Sequence, residues 1–221
     1  MTSARYSAIR TSLRTAAIMI VFTVLFTAVM AFTYQTTRPA IEASVQEEQM
    51  RLINEVLPAE SYDNLLLNDV ISVTAPEALG SGGSRRVWRA RKAGQPASLV
   101  LETVASDGYA GRIQIIVAVG ANGTVGGIRV TAHKETPGLG DYIDPKKDRN
   151  KIKPWVSQFG GVSWSQIEAA RWTVRKDGGD FDYRTGATIS ARAVTRAVGR
   201  AVGYAVEHGD TLFAAAAGSS L

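Results

Sequence analysis

Polarity along the chain divides it into segments of different period. Residues 15–37 carry no charge, and within them AAIMIVFTVLFTAVMAF is apolar throughout. At about 1.5 Å per residue such a stretch crosses the roughly 30 Å hydrocarbon core of a bilayer, which predicts one transmembrane helix over 15–37. After Arg38-Pro39, Ile41, Val45, Leu52, Ile53 and Val56 recur at helical spacing until Pro58, predicting a linker helix over 38–58. The period then changes. Arg86 to Ala90, Ser98 to Val104, Arg112 to Val119 and Thr124 to Thr131 are alternating or β-branched runs, and Ala121-Asn122-Gly123 between the last two is a hairpin signal. Asp107 to Gly111 reads as a tight turn and Leu79 to Ser84 as a Gly-rich loop. Ser163 is placed to cap a short helix through Ala170, and Ile189 to His208 has a long apolar face of Ala193, Val194, Ala197, Val198, Ala201, Tyr204 and Ala205. Strands followed by a packing helix predict an α+β domain with a mainly antiparallel sheet over 59–212. The Ala-rich segment 213–221 is expected to fray.

Charge sets the orientation. Arg5, Arg10 and Arg14 precede the apolar stretch, whereas Arg38 is followed by Glu42, Glu47 and Glu48. The Lys/Arg bias predicts that residues 1–14 are cytoplasmic and that the rest of the chain after the span is exported. A cleavable signal peptide ending near Val29-Met30-Ala31 is the competing reading, but signal cores run to only about 7–15 residues and this uncharged stretch continues past Ala31. Among 221 residues there is no Cys and there are two His, His133 and His208. Iron–sulfur clusters, thiol chemistry and the usual zinc sites therefore lack ligands, and a redox centre here must be organic or held by oxygen. The net charge is +5, with acidic residues interspersed among the basic ones, a pattern of solvated surface and not of a nucleic-acid footprint.

Candidate chemistry concentrates in two segments. In Asp182-Tyr183-Arg184-Thr185-Gly186-Ala187-Thr188-Ile189-Ser190, two threonines flank a Gly-Ala pair directly before the last helix. A helix N-terminus stabilises phosphate through unpaired N–H groups and the positive dipole end, so Thr188 is placed both to cap the helix and to meet a phosphate. Gly186 and Ala187 leave room for a bulky group. On this pattern alone a plain cap is the usual role of a Thr before a helix. The second segment is His133-Lys134-Glu135-Thr136-Pro137-Gly138-Leu139-Gly140-Asp141, after the Thr124 to Thr131 strand. Its Pro and Gly residues give a backbone that can lie against a flat ligand, or a simple strand-exit turn. Glu135 is placed either to bond a bound ring or to be a solvated loop carboxylate; Trp155 and Trp164 either cover a ring or belong to the core. Lys153 reads as surface, and His133 as structural or solvated in preference to a proton carrier.

Taken together, the N-terminal span, the block AGRIQIIVAVGANGTVGGIRVTAHKETPGLGD, the segment KIKPWVSQF and the pattern D-x-x-T-G-A-T resemble the FMN-binding domain of the RnfG family, the G component of the Rnf ion-translocating electron-transport complex. More distantly they resemble the C component of the sodium-translocating NADH:quinone reductase. The resemblance covers the whole chain and implies FMN carried as a phosphoester on Thr188. It further implies that Thr185, Gly186 and Ala187 complete the attachment motif with Ile189 beside it, that Asp182 is read by a dedicated flavin transferase, and that Glu135, Thr136, Pro137, Gly138, Leu139 and Gly140 line the flavin. The implied function is an electron relay within a translocase linking ferredoxin and NAD, not catalytically complete alone. Its implied partners are the other membrane and peripheral subunits of a Rnf-type complex, the transferase and membrane lipid, with no nucleic acid, in a bacterial inner membrane with the C-terminal domain periplasmic. A membrane-tethered flavin sensor and a flavin-free exported adhesion or assembly module are the alternatives. The chain itself has neither a nicotinamide fingerprint nor a cluster motif.

Overall fold

A computed structural model describes residues 2–221, with side chains from Ile9 onward. Met1 and the Arg5 side chain, on which the cytoplasmic reading of residues 1–14 partly rests, lie outside the described residues. The chain divides into two units, residues 1–48 and 49–221. The span and linker expected as separate elements belong to one helix, α1 (Thr2–Asn54), which contains Pro39. In the first unit Phe22, Phe26, Met30 and Phe32 are exposed, so the described residues leave this apolar surface uncovered. Several of its hydroxyls are satisfied within the helix: Thr23 donates to the Met19 carbonyl (2.8 Å), Thr33 to Val29 (2.9 Å) and Thr36 to Phe32 (2.9 Å). Internal pairing of that kind is what a bilayer demands of a polar group. By length and composition α1 can cross a membrane.

The second unit is built on a five-stranded antiparallel meander in the order β1 (Val70–Val73), β2 (Arg85–Lys92), β3 (Gln95–Gly108), β4 (Gly111–Gly120) and β5 (Val125–Ala132). β2 to β4 contain the first three expected runs and β5 matches the fourth except for Thr124, which precedes it; β1 is not among the expected strands, nor is the single turn α2 (Pro76–Leu79) expected. Successive side chains of a strand point to opposite faces. Leu99, Leu101, Ile115, Val117 and Val119 therefore meet the last helix, α3 (Thr188–Ala214), through Ala191, Val194, Ala197, Val198 and Ala201. Val100, Ile116 and Ala118, together with Trp88 of β2, face the other way onto Ile53, Val56, Leu57 and Leu66. Both faces of the sheet are covered, which is why its central strands read as nearly continuous apolar runs. The α+β class and the antiparallel sheet are as expected.

Three local expectations are corrected. Helix 163–170 is instead two short 3-10 turns, Trp164–Gln166 and Ala169–Arg171, although Ser163 and Gln166 do form a capping box. α3 continues beyond His208 to Ala214. The tail does not fray: the Ser72 N–H donates to the Ser219 carbonyl (2.9 Å), the Leu221 N–H to Ser72 (2.8 Å) and the Thr74 N–H to Leu221 (2.8 Å), along β1. Buried Arg89 secures the end of α3 by donating to the carbonyls of Leu212 (3.0 Å) and Ala215 while pairing with Asp69. Cationic donors offset the negative end of a helix, and these carbonyls would otherwise be unpaired in the interior.

The long segment between β5 and α3 has little regular structure and is held by buried Asp148. Its carboxylate accepts the N–H groups of Asn150 (2.9 Å) and Trp155 (2.7 Å) and pairs with Arg184. Burial pushes the Asp148 carboxyl up, but the two amides and Arg184 outweigh it and hold the group below the ordinary carboxylate range. A depressed folded-state pKa contributes stability that is complete above the unfolded value, about 4, and is lost as pH falls through the folded value. Asp148→Asn should cost about 1–3 kcal/mol at neutral pH. It should also flatten the acid limb of stability below about pH 4, measured by chemical denaturation of the full chain in detergent across pH.

Candidate functional site

The turn ahead of α3 is fixed from below. The Ala187 N–H donates to the Arg184 carbonyl (3.1 Å), closing a turn whose third residue, Gly186, has φ +87°. An L side chain is strained there, so glycine is the residue this turn needs. The buried Tyr142 hydroxyl accepts the Arg184 N–H (3.1 Å) and donates to the Ala187 carbonyl (3.2 Å), spanning both ends of the turn. Burial pushes the Tyr142 phenol up, which keeps it neutral and able to donate. The Arg184 guanidinium lies over the Tyr142 ring, 4.5 Å from its centre.

Thr188 is the first residue of α3 and not its cap, contrary to the sequence expectation. Ala187 occupies the cap position, no side chain caps the helix, and no acidic residue lies in the first turn. The first N–H groups of α3 are thus left without a side-chain acceptor, a configuration suited to an anion. Thr188 is half-buried.

The loop after β5 approaches this helix start through Glu135, which is 3% exposed. Glu135 Oε1 accepts the Ala110 N–H (3.0 Å) from the β3–β4 hairpin, and Oε2 accepts the Ser190 hydroxyl of α3. Both oxygens are engaged inside the protein, so the solvated-carboxylate reading is overturned, and Glu135 is a brace as well as part of the wall. A Cβ at Gly140 would fall 2.6 Å from Ser190 Oγ and 2.8 Å from Glu135 Oε2; only glycine lets the loop lie this close. The Leu139 and Gly140 N–H groups both donate to the Thr136 carbonyl (3.1 Å each), and Asp141 accepts the Gly138 N–H (2.9 Å).

Between these elements is an open cavity of about 250 Å³, lined by Tyr109, Glu135, Thr136, Leu139, Gly140, Gly186, Ala187, Thr188, Ile189 and Ser190. The two sequence segments are therefore brought together. Of the residues singled out, Pro137, Gly138 and Thr185 do not line the cavity, and Asp182 stands apart with an exposed side chain paired to Arg175 (2.9 Å). The Asp182 backbone is held by the Trp155 indole N–H (2.7 Å) and by Gln158 (2.7 Å). Trp155 and Trp164 are absent from the lining. They belong to a row of ring contacts running Tyr142, Trp155, Phe159, Phe181, Trp172, Trp164, with centres 4.8–5.7 Å apart. Lys153 is exposed, and burial pushes the His133 imidazole down. Tyr109 and Ser190 were missed as lining residues: Tyr109 had been accounted for as part of a turn, and Ser190 as the end of the motif.

A family model described as the FMN-binding domain matches residues 108–203, and one described as the RnfG N-terminal region matches residues 1–56. The chain is 39% identical over 199 residues to the G component of the ion-translocating oxidoreductase complex of Pseudoalteromonas atlantica, covering 90% of each chain. It is 47% identical over 160 residues to the protein of that name in Escherichia coli strain K12, covering 72% of this chain and 74% of the relative. With the Vibrio cholerae protein of that name it shares 41% over 177 residues, covering 80% and 82%. An FMN-binding domain match that spans the whole cavity, an N-terminal match over the membrane-type helix, and this extent of identity place the chain in the RnfG family, the G component of ion-translocating oxidoreductase complexes.

Proposed function

We propose that this chain is the flavin-bearing electron relay of an ion-translocating oxidoreductase complex, with FMN attached covalently through its phosphate to Thr188. The observation that carries this reading is the meeting of the Thr188 hydroxyl, the uncapped start of α3 and the glycine-walled loop in one open cavity. The residues suit the group. Phosphate at Thr188 would sit where the first N–H groups of α3 and its dipole favour negative charge, while Gly186, Ala187 and Gly140 leave space beside it for a broad ring. Covalent attachment makes retention independent of affinity, which suits an open cavity on a domain that faces a dilute exterior.

When bound, FMN supplies one- and two-electron redox chemistry, which belongs to the cofactor and not to any side chain. The chain contributes position and surroundings. Attachment would form a bond from Thr188 Oγ1 to the flavin phosphorus as the phosphoanhydride bond of the flavin donor breaks, the hydroxyl proton and the nucleotide leaving group departing. Asp182 is the determinant read by the transferase, consistent with an exposed side chain on a backbone fixed by Trp155 and Gln158. Glu135, Thr136, Leu139 and Gly140 form the wall beside the ring, whereas Pro137, Gly138 and Thr185 shape the backbone that presents it. The membrane side follows from the arginines ahead of the span: the domain is periplasmic, anchored in the inner membrane by α1, and works with the other members of the complex.

Thr188→Val retains shape and branching but loses the oxygen. Because Thr188 is not the cap, the substitution should cost less than the ~1 kcal/mol of a lost cap while abolishing attachment. Thr185→Val should keep covalent flavin. Co-expression with a flavin transferase and a denaturing gel viewed for flavin fluorescence checks both, and mass analysis of the Thr188 peptide locates the bond; fluorescence from Thr188→Val, or a dark wild type, sinks the covalent reading.

Asp182→Ala should lower the flavinylated fraction with stability changed by less than about 0.5 kcal/mol, as for an exposed surface site. Glu135→Ala should instead leave the Ala110 N–H and the Ser190 hydroxyl without their acceptor and destabilise the domain by about 1–3 kcal/mol. Thermal melting beside the gel assay separates the two; equal loss of stability in both variants would make Asp182 a structural residue.

A reporter fused after Leu221 should be active only on the exterior side of the membrane. Activity confined to the cytoplasm would reverse the topology.

A further inference from the structure

Tyr109 is 69% exposed at the tip of the β3–β4 hairpin, where a large ring contributes nothing to the core. Among the described residues it is the one aromatic side chain lining the cavity that holds Thr188. The hairpin tip is firmly placed. Ala110, the next residue, donates its N–H to buried Glu135 (3.0 Å), and a Cβ at Gly108 would fall 2.9 Å from Glu135 Oε1. The strand register shifts between Ala105 and Gly108, and bulges of this kind re-aim side chains beside functional sites. The rim is apolar as well, since Leu139 and Ile189 are both exposed and line the same cavity. An exposed phenol with two exposed aliphatic side chains around one opening is an arrangement that lacks a flat, largely apolar surface to cover it.

We propose that Tyr109 lies against the isoalloxazine ring and closes the hairpin side of the flavin site, with Leu139 and Ile189 flanking it. This deepens the flavin assignment and rests on it. Offset stacking of two aromatic faces favours the contact, and the Glu135 brace fixes the hairpin tip against the start of α3, so the backbone that carries Tyr109 is placed on the cavity wall before any flavin arrives. Tyr109 is in this sense a positioning residue that shields one part of the ring from solvent.

The readout is flavin emission per attached flavin, because a phenol in contact with excited isoalloxazine gives it one electron and takes it back, quenching emission and leaving both groups unchanged. Full-length protein in detergent, flavinylated by co-expression with a transferase, is compared folded and denatured. Wild type should be dimmer folded than denatured. Tyr109→Leu should carry the same amount of covalent flavin on a denaturing gel, yet be several-fold brighter than wild type when folded and equal to it when denatured. Tyr109→Trp, which restores an aromatic electron donor, should be dim again. Full attachment with Tyr109→Leu as dim as wild type would overturn the contact alone and assign any quenching to another ring, such as Tyr142. A dark gel for wild type would remove the covalent reading, and the contact with it.

Discussion

Glu135 draws on three stretches of chain that are far apart in sequence: the hairpin at Ala110, its own loop after β5, and Ser190 in the first turn of α3. A carboxylate taken out of water costs several kcal/mol unless its oxygens are met by donors. Here each oxygen has one, and the glycines at 108 and 140 let the backbone approach closely enough to provide it. The walls of the cavity are thus positioned by a single side chain whose satisfaction requires all three segments to be present. Below it the Tyr142 hydroxyl does the same for the turn at 184–187, taking one N–H and giving one O–H. With these two groups removed, the site would be three irregular segments and the start of a helix.

Much of the architecture was legible in the sequence because it rests on local patterns. β-branched runs marked β2 to β5, Ala121-Asn122-Gly123 marked a hairpin, and the apolar face from Ile189 onward marked α3. The elements not foreseen are those whose stability is borrowed. β1 has only four residues and is stabilised by β2 on one side and the chain end on the other. The Ala-rich tail has no periodicity of its own and is held by Arg89, which is distant in sequence. The Ser163 capping box formed as its residue types imply, but a box does not by itself extend a helix, and the segment stayed in short turns.

The site was legible in part for the same reason. Thr188 and its neighbours form a contiguous motif beside a recognisable helix start, and the loop at 135–140 is rich in Pro and Gly, so both segments stood out. That Ala187 and not Thr188 takes the cap position depends on where the turn closed by Arg184 ends, which residue type alone does not determine. Glu135 in an exposed-looking loop gave no sign of burial, because its partners lie in the hairpin and in α3. Tyr109 was hidden by the adequacy of a simpler reading, since Gly-Tyr-Ala-Gly makes a serviceable turn whatever the tyrosine does.

The pairing of the chain end with β1 also bears on how the domain meets its neighbours. A sheet edge with free N–H and C=O groups recruits strands from other molecules. Here the outer side of β1 is already occupied by residues 219–221, and at the opposite edge the start of β5 is engaged by Gly161 and Val162. Short irregular segments thus act as edge guards, discouraging strand addition between copies. Extensions joined after Leu221 would begin beside that guarded edge, and a rigid one that lifted the last three residues would expose β1 as a template for self-association.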